Sequence, residues 1–197
     1  FYTPRDLSFY NVTASHEYEH ERMRVLSGLA AGTLDAVITT PDAALSYTVP
    51  PDILRAASVR LDFHTPVDPG TLAERLVAAG YNRVDLVEGA GQFAVRGGII
   101  DVFAPFGTYI DDEGELRAGS YPLRVELFGD EIDRITEFNP VTGARQNVVK
   151  HVAIFPASHY IVSADKKAAA IEKIRAECDE QVKKFTAEGK LIEAQRI

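Results

Sequence analysis

Two imidazoles one helical turn apart can share a zinc ion, and a carboxylate between them can act as a base. The sequence presents this pattern once, as His16-Glu17-Tyr18-Glu19-His20. Glu17, Glu19 and Glu21 sit where a helix begins, a place in which acids favour the helix dipole. No third ligand is evident, so the stretch reads as a solvated helix end and no metal is expected. The single cysteine, Cys178, falls on an apolar helical stripe, the position of a small buried hydrophobe rather than a nucleophile. One cysteine also excludes an internal disulfide and a multi-thiolate metal site, which fits a reducing compartment and a cytoplasmic location. Asp111, Asp112, Glu113 and Glu115 lack the spacing of a calcium loop. Gly89-Ala90-Gly91 is followed by a strand pattern and no third glycine, so it reads as a hairpin turn rather than a dinucleotide fingerprint. Gly189-Lys190 is followed by Leu191 between helical stretches, unlike a phosphate-binding loop. No catalytic residue and no cofactor are expected.

The remaining chemistry lies between Tyr81 and Phe103. Arg83 stands on one short strand pattern, and Phe93 and Arg96 on the strand after the glycine turn. Gly97-Gly98 then allows a bulge or a close backbone approach. Arginines and an aromatic on adjacent strands make a candidate protein-binding face, because such residues dominate interfaces. The same residues also admit ordinary cross-strand pairing, Arg83 with Asp85 or Glu88 and Arg96 with Asp101.

The elements that must hold these residues follow from periodicity. Residues 7–12 read as a strand, and Ser15 as the cap of a helix over 16–31 ended by Gly32. Residues 35–40 form a nearly continuous apolar run, the pattern of a parallel strand covered on both faces. Short helices start at Pro41 and at Pro50-Pro51. From residue 58 the texture changes to a half-buried strand at 59–63 and an amphipathic helix at 69–79 closed by Gly80. Strands follow at about 81–87, 92–96, 98–103, 122–128 and 131–138, with a solvated, mobile loop over 105–120. Residues 151–156 read as a strand returning to the first layer. Residues 164–187 form a long helix whose Ile171, Ile174, Cys178, Val182 and Phe185 predict a buried stripe. The expected architecture is a partial α/β layer, residues 1–57 with 151–197, and an inserted α+β domain with an antiparallel sheet, residues 58–150.

Composition narrows the function. The 197 residues are 46% hydrophobic and 25% charged, values of a globular chain, and no apolar run suits a membrane helix. The start at Phe1-Tyr2-Thr3-Pro4 has no signal-peptide pattern, and the whole reads as a piece of a longer protein. The formal net charge is −8; residues 163–197 carry eight basic and seven acidic side chains, leaving residues 1–162 at −9. A body of that charge favours a protein partner over duplex DNA.

Gly80-Tyr81-Asn82-Arg83-Val84-Asp85, Gln92 to Phe103 and Leu123 to Ile135 resemble the module shared by two bacterial repair proteins, the excision-repair helicase subunit UvrB and the transcription-repair coupling factor Mfd. Residues 1–103, with Val87-Glu88-Gly89-Ala90-Gly91-Gln92-Phe93, are more similar to Mfd. Asn139 to Gly143, His151 to Tyr160 and Gly189 to Arg196 are more similar to UvrB. A lineage with mixed features and a fusion of the two both account for this. The resemblance implies a helicase-like layer without ATP-binding motifs and a non-catalytic module that docks onto the damage sensor UvrA, touching DNA only through the complex. The alternative is a fragment of a UvrB-like helicase whose ATP-binding motifs lie outside this chain. The resemblance implies that Arg83 and Arg96 contact UvrA, with Phe93 and Gly97 in the same face, and that a third arginine contact is replaced by Ala94.

Overall fold

The computed structural model describes residues 1–4, 17–63, 65–161 and 164–196. The strand expected at 7–12, the Ser15 cap and His16 lie outside the described residues. Two units are present, residues 1–161 and 162–197.

In the first unit, α1 (Glu17–Ala31), α2 (Pro41–Ala44) and α3 (Pro51–Ala57) precede the sheet, and α4 (Pro69–Ala78) lies between its first two strands. The strands are β1 (Val59–Asp62), β2 (Asn82–Arg83), β3 (Gln92–Arg96), β4 (Ile99–Asp111), β5 (Leu116–Phe128), β6 (Glu131–Phe138) and β7 (Arg145–Ile154). Their order is β1-β7-β6-β5-β4-β3-β2. The pairings are antiparallel except β2–β3, which is parallel, so the sheet is mixed. The far half of β4, from Gly107, also pairs with β7, which closes β4, β5, β6 and β7 on themselves.

Helix α4 forms where the sequence supplies its caps. Asp68 accepts the Thr71 N–H at 2.7 Å, and Pro69 occupies the first turn. At the other end Gly80 takes φ +87°, and the N–H groups of Gly80 and Tyr81 bond back to the carbonyls of Val77 and Leu76. Leu72, Ala73 and Leu76 then face the sheet, where Phe93, Ile100, Val102, Leu123 and Val125 alternate inward. Burying each of the larger side chains contributes about 1.5–3 kcal/mol. Tyr81, buried at the same seam, donates its hydroxyl to the Phe155 carbonyl at 2.5 Å, and burial pushes the phenol up. Helix α1 covers a second cluster in which Met23 meets Leu54, Phe106 and Phe155, the two rings edge-to-face at 5.5 Å.

Several expectations are corrected. Residues 35–40 are not a covered strand: among the described residues Thr39 bridges to Tyr2, whose N–H bonds to the Ile38 carbonyl at 2.9 Å, and the Ile38 side chain stays exposed. Among the described residues, 1–57 contribute three helices and no strand of the sheet, so the expected helicase-like layer is not seen there. The stretch 105–120 is the long β4–β5 hairpin rather than a loop. Asp111 ends β4 and the other acids occupy the turn at 112–115, while Phe106 and Tyr109 are buried and Tyr109 packs edge-to-face on Tyr121 at 4.8 Å. Asp111 folds back onto Arg117 Nε at 2.9 Å and the Glu115 N–H at 2.8 Å. The strand expected over 81–87 shrinks to Asn82–Arg83. The strand at 151–156 is the end of β7, which begins at Arg145 and pairs with β1, β4 and β6. A boundary at 150/151 would cut that strand, and the observed division falls at 161/162 instead.

The second unit holds α5 (Ala164–Ala187) and α6 (Leu191–Arg196), joined at Gly189 with φ +75°. Lys190 donates its N–H to the Phe185 carbonyl at 2.9 Å, and its ammonium lies 5.7 Å from the Phe185 ring centre. The predicted stripe on α5 is not buried. Ile171 and Ile174 are exposed, Ile174 at 64%, and Cys178 is half-buried. The helical spacing sets a face, but burial needs a partner, and the described packing within this unit engages only the end of α5.

Candidate functional site

The site begins with the pairing of β2 and β3. Asn82 and Val84 donate their N–H groups to the carbonyls of Gly91 and Phe93 at 2.8 and 2.9 Å, which places Arg83 beside Phe93. Arg83 is exposed and has no ion-pair partner among the described residues, neither Asp85 nor Glu88. Arg96 ends β3. Gly97 takes φ +60° in the two-residue turn, a conformation that favours glycine, and a side chain at Gly98 would come within 3.1 Å of the Leu127 carbonyl oxygen. Arg83, Val84, Asp85, Val95 and Arg96 line one open cleft.

Alternation along β3 sorts the remaining predicted residues. Phe93 is fully buried and faces α4, so it supports the cleft from beneath rather than meeting a partner. Gly97 is exposed and makes the turn. Ala94 points to the opposite side of the sheet from Phe93 and is buried with Val87 and Phe138.

Arg96 pairs with Asp101 across the β3–β4 hairpin, as the cross-strand alternative required. Asp101 is buried and has a second, better-aligned partner. Arg124 on β5 donates from Nε to Oδ1 at 2.6 Å and from Nη2 to Oδ2 at 2.8 Å. The Arg124 guanidinium also lies 4.9 Å from the Phe138 ring centre, and its hydrogen bond to Asp101 pushes its pKa further up. Glu126, two residues along the same face of β5, pairs with Arg145, and Arg134 stands directly opposite Glu126 on β6. Sequence reasoning missed Arg124, Arg134 and Arg145 as parts of this face. The strict alternation of Arg124 and Glu126 with Leu123, Val125 and Leu127 is the signal that identifies Arg124.

Chemically, Asp101 is satisfied by Arg124 alone. The Arg96 side chain, 47% exposed, can therefore exchange Asp101 for a carboxylate on another molecule without stranding a buried charge. Arg83 needs no exchange. The face is suited to gripping carboxylates and holds no acid–base or nucleophilic arrangement.

In the described part of this helix start, Glu17 and Tyr18 are exposed, while Glu19 and His20 are half-buried. Glu19 accepts the Ser158 hydroxyl at 2.6 Å and the His159 N–H at 3.1 Å, which latches α1 to the segment after β7. His20 lies over Gly91, where a side chain would approach its imidazole to 2.6 Å. Among the described residues no group of three His, Cys, Asp or Glu side chains is placed to hold a metal.

Residues 59–160 match the family model described as the UvrB interaction domain, and residues 165–197 match the UvrB third helical domain. The division between the two matches falls where the structure divides. The UvrABC system protein B of Bacillus cereus is 34% identical over 197 residues, 100% of this chain and 28% of its own length. That of Symbiobacterium thermophilum is 36% identical over 163 residues, 83% of this chain and 23% of its own. That of Clostridium acetobutylicum is 38% identical over 147 residues, 75% of this chain and 20% of its own. The chain thus spans less than a third of the length of the curated relatives it matches.

Proposed function

The chain belongs to the UvrB interaction domain family, and from that premise we propose that it is a non-catalytic docking module that binds the damage sensor UvrA in bacterial nucleotide excision repair. The observation that carries this reading is the cleft in which Arg83 lacks an ion-pair partner among the described residues and Arg96 is free to exchange one. On a chain of net charge −8 such a face selects an acidic patch on its partner. The module works in the cytoplasm and reaches DNA only through the complex, since residues 1–162 carry a net −9. No described helix is long and apolar enough to cross a membrane. The likeness of residues 1–103 to Mfd, with Val87 to Phe93 as its clearest phrase, favours transcription-coupled repair as a second setting for the same docking.

Two measurements test the reading. Immobilised chain should retain UvrA, and free UvrA in excess should compete it off. The alternative, a fragment of a UvrB-like helicase whose ATP-binding motifs lie outside this chain, expects ATP with Mg²⁺ to raise the melting temperature of the longer protein by mass action. The docking reading expects no such shift in this chain, because the sequence carries no phosphate-binding loop.

A further inference from the structure

We propose that Phe128 is the apolar anchor of the docking face and that it inserts into an apolar pocket on the acidic partner surface. This inference rests on the docking reading above and adds to it the chemistry of the partner's site.

A lone exposed phenylalanine is ordinary on a protein surface. Three observations set this one apart. The first is its place in the pleat. Alternation along β5 puts Arg124, Glu126 and Phe128 on one face, opposite Leu123, Val125 and Leu127, which turn toward the core. Cross-strand register carries the same face through Arg134, opposite Glu126, and through Ile99, opposite both Glu126 and Arg96. Phe128 therefore continues the row of side chains to which Arg96 and Arg124 belong.

The second observation is its exposure. Phe93, Phe106, Tyr109 and Phe138 on the strands are buried, and Phe103 and Tyr121 are half-buried. Phe128 alone among these strand aromatics stands clear, 83% exposed. The third is rigidity. Leu127 donates its N–H to the Gly98 carbonyl at 2.8 Å, which ties the tip of the β5–β6 hairpin to the turn after Arg96. Gly129, at φ +67°, closes the hairpin in two residues. An aromatic held on two tight turns loses little freedom on binding, which is the condition under which such a residue dominates an interface.

The partner site follows from the surroundings. Arg134, opposite Glu126 on this face, has no ion-pair partner among the described residues, and Arg96 can exchange its own. The matching surface is an apolar pocket with carboxylates along the side that meets these arginines.

The test is calorimetric titration of UvrA with the 197-residue chain and with Phe128→Ala, Phe128→Leu and Arg83→Glu, each checked by thermal melting. Phe128→Ala should weaken binding at least about tenfold, the loss expected for an interface hot spot, with the melting temperature unchanged. Phe128→Leu should recover part of that loss. If Arg83→Glu weakens binding while Phe128→Ala binds like the parent chain, the anchor is wrong and the docking reading stands. If neither the parent chain nor any variant binds UvrA, the docking reading fails and takes the anchor with it.

Discussion

Arg96 and Arg124 share one buried carboxylate, yet their removal should have opposite signatures. Arg124 makes both aligned hydrogen bonds to Asp101, and its side chain is 15% exposed. Arg124→Ala leaves Asp101, 2% exposed, with only the half-exposed Arg96 to balance it. Breaking a fully buried pair costs about 3–5 kcal/mol, and the residual exposure here lowers that to about 2–4 kcal/mol. For a chain of this size each kcal/mol moves the melting temperature by roughly 2–4 °C, so Arg124→Ala should lower it by roughly 4–16 °C. Arg96→Ala removes a half-exposed pair of the kind worth about 0–1 kcal/mol, and Asp101 keeps both bonds from Arg124. Its melting temperature should fall by less than about 4 °C while its affinity for UvrA drops. Differential scanning calorimetry beside binding isotherms for both variants reads the split. Equal destabilisation by the two substitutions would refute the argument that Arg96 is exchangeable, and so would an Arg96→Ala chain that binds UvrA undiminished.

Three further outcomes are expected. Gly80→Ala forces a side chain into φ +87° and to within 2.5 Å of Ser158 Cβ, so urea unfolding should show a loss of more than about 1 kcal/mol. Burial pushes the Asp111 carboxyl up, but the hydrogen bonds from Arg117 and the Glu115 N–H outweigh it and hold the group below its usual 3.8. A lowered folded-state pKa gives stability that is complete above the ordinary carboxylate value and lost as pH falls through the folded one. As pH falls below the ordinary carboxylate value, melting temperatures should therefore fall less steeply for Asp111→Asn than for the parent chain. Ile174→Ala, at an exposed position of α5, should change stability by less than about 0.5 kcal/mol in the same urea titration.

The parts of the fold that were legible in the sequence are those with local causes. The Asp68 cap, Pro69 and Gly80 fix α4, and the alternation of Phe93 and Val95 with Ala94 and Arg96 fixes β3. The parts that were not legible depend on contacts distant in sequence. The acids at 112–115 suggested a loop because nothing local shows that Tyr109 will meet Tyr121, or that β4 will pair with β7 as well as β5. The apolar run at 35–40 and the stripe on α5 have the right texture for burial, but of the former only Val37 packs on the Tyr2, Val25 and Ala43 cluster, and on the latter Ile171 and Ile174 stay exposed. In the candidate site, Arg83 and Arg96 could be found from residue type and the glycine turn. Phe93 was misplaced because its orientation depends on which face α4 covers. Arg124 went unused because its pairing with Asp101 spans 23 residues.

The central claim is that an arginine face of this chain docks onto UvrA, and charge reversal at Arg83 tests it most directly. Arg83 is exposed and without an ion-pair partner among the described residues, so Arg83→Glu should leave the melting temperature and circular dichroism of the chain unchanged. Placing like charges face to face can cost several kcal/mol, so binding to UvrA should weaken by two orders of magnitude or more. A folded Arg83→Glu chain that binds UvrA with the parent's affinity would contradict the account.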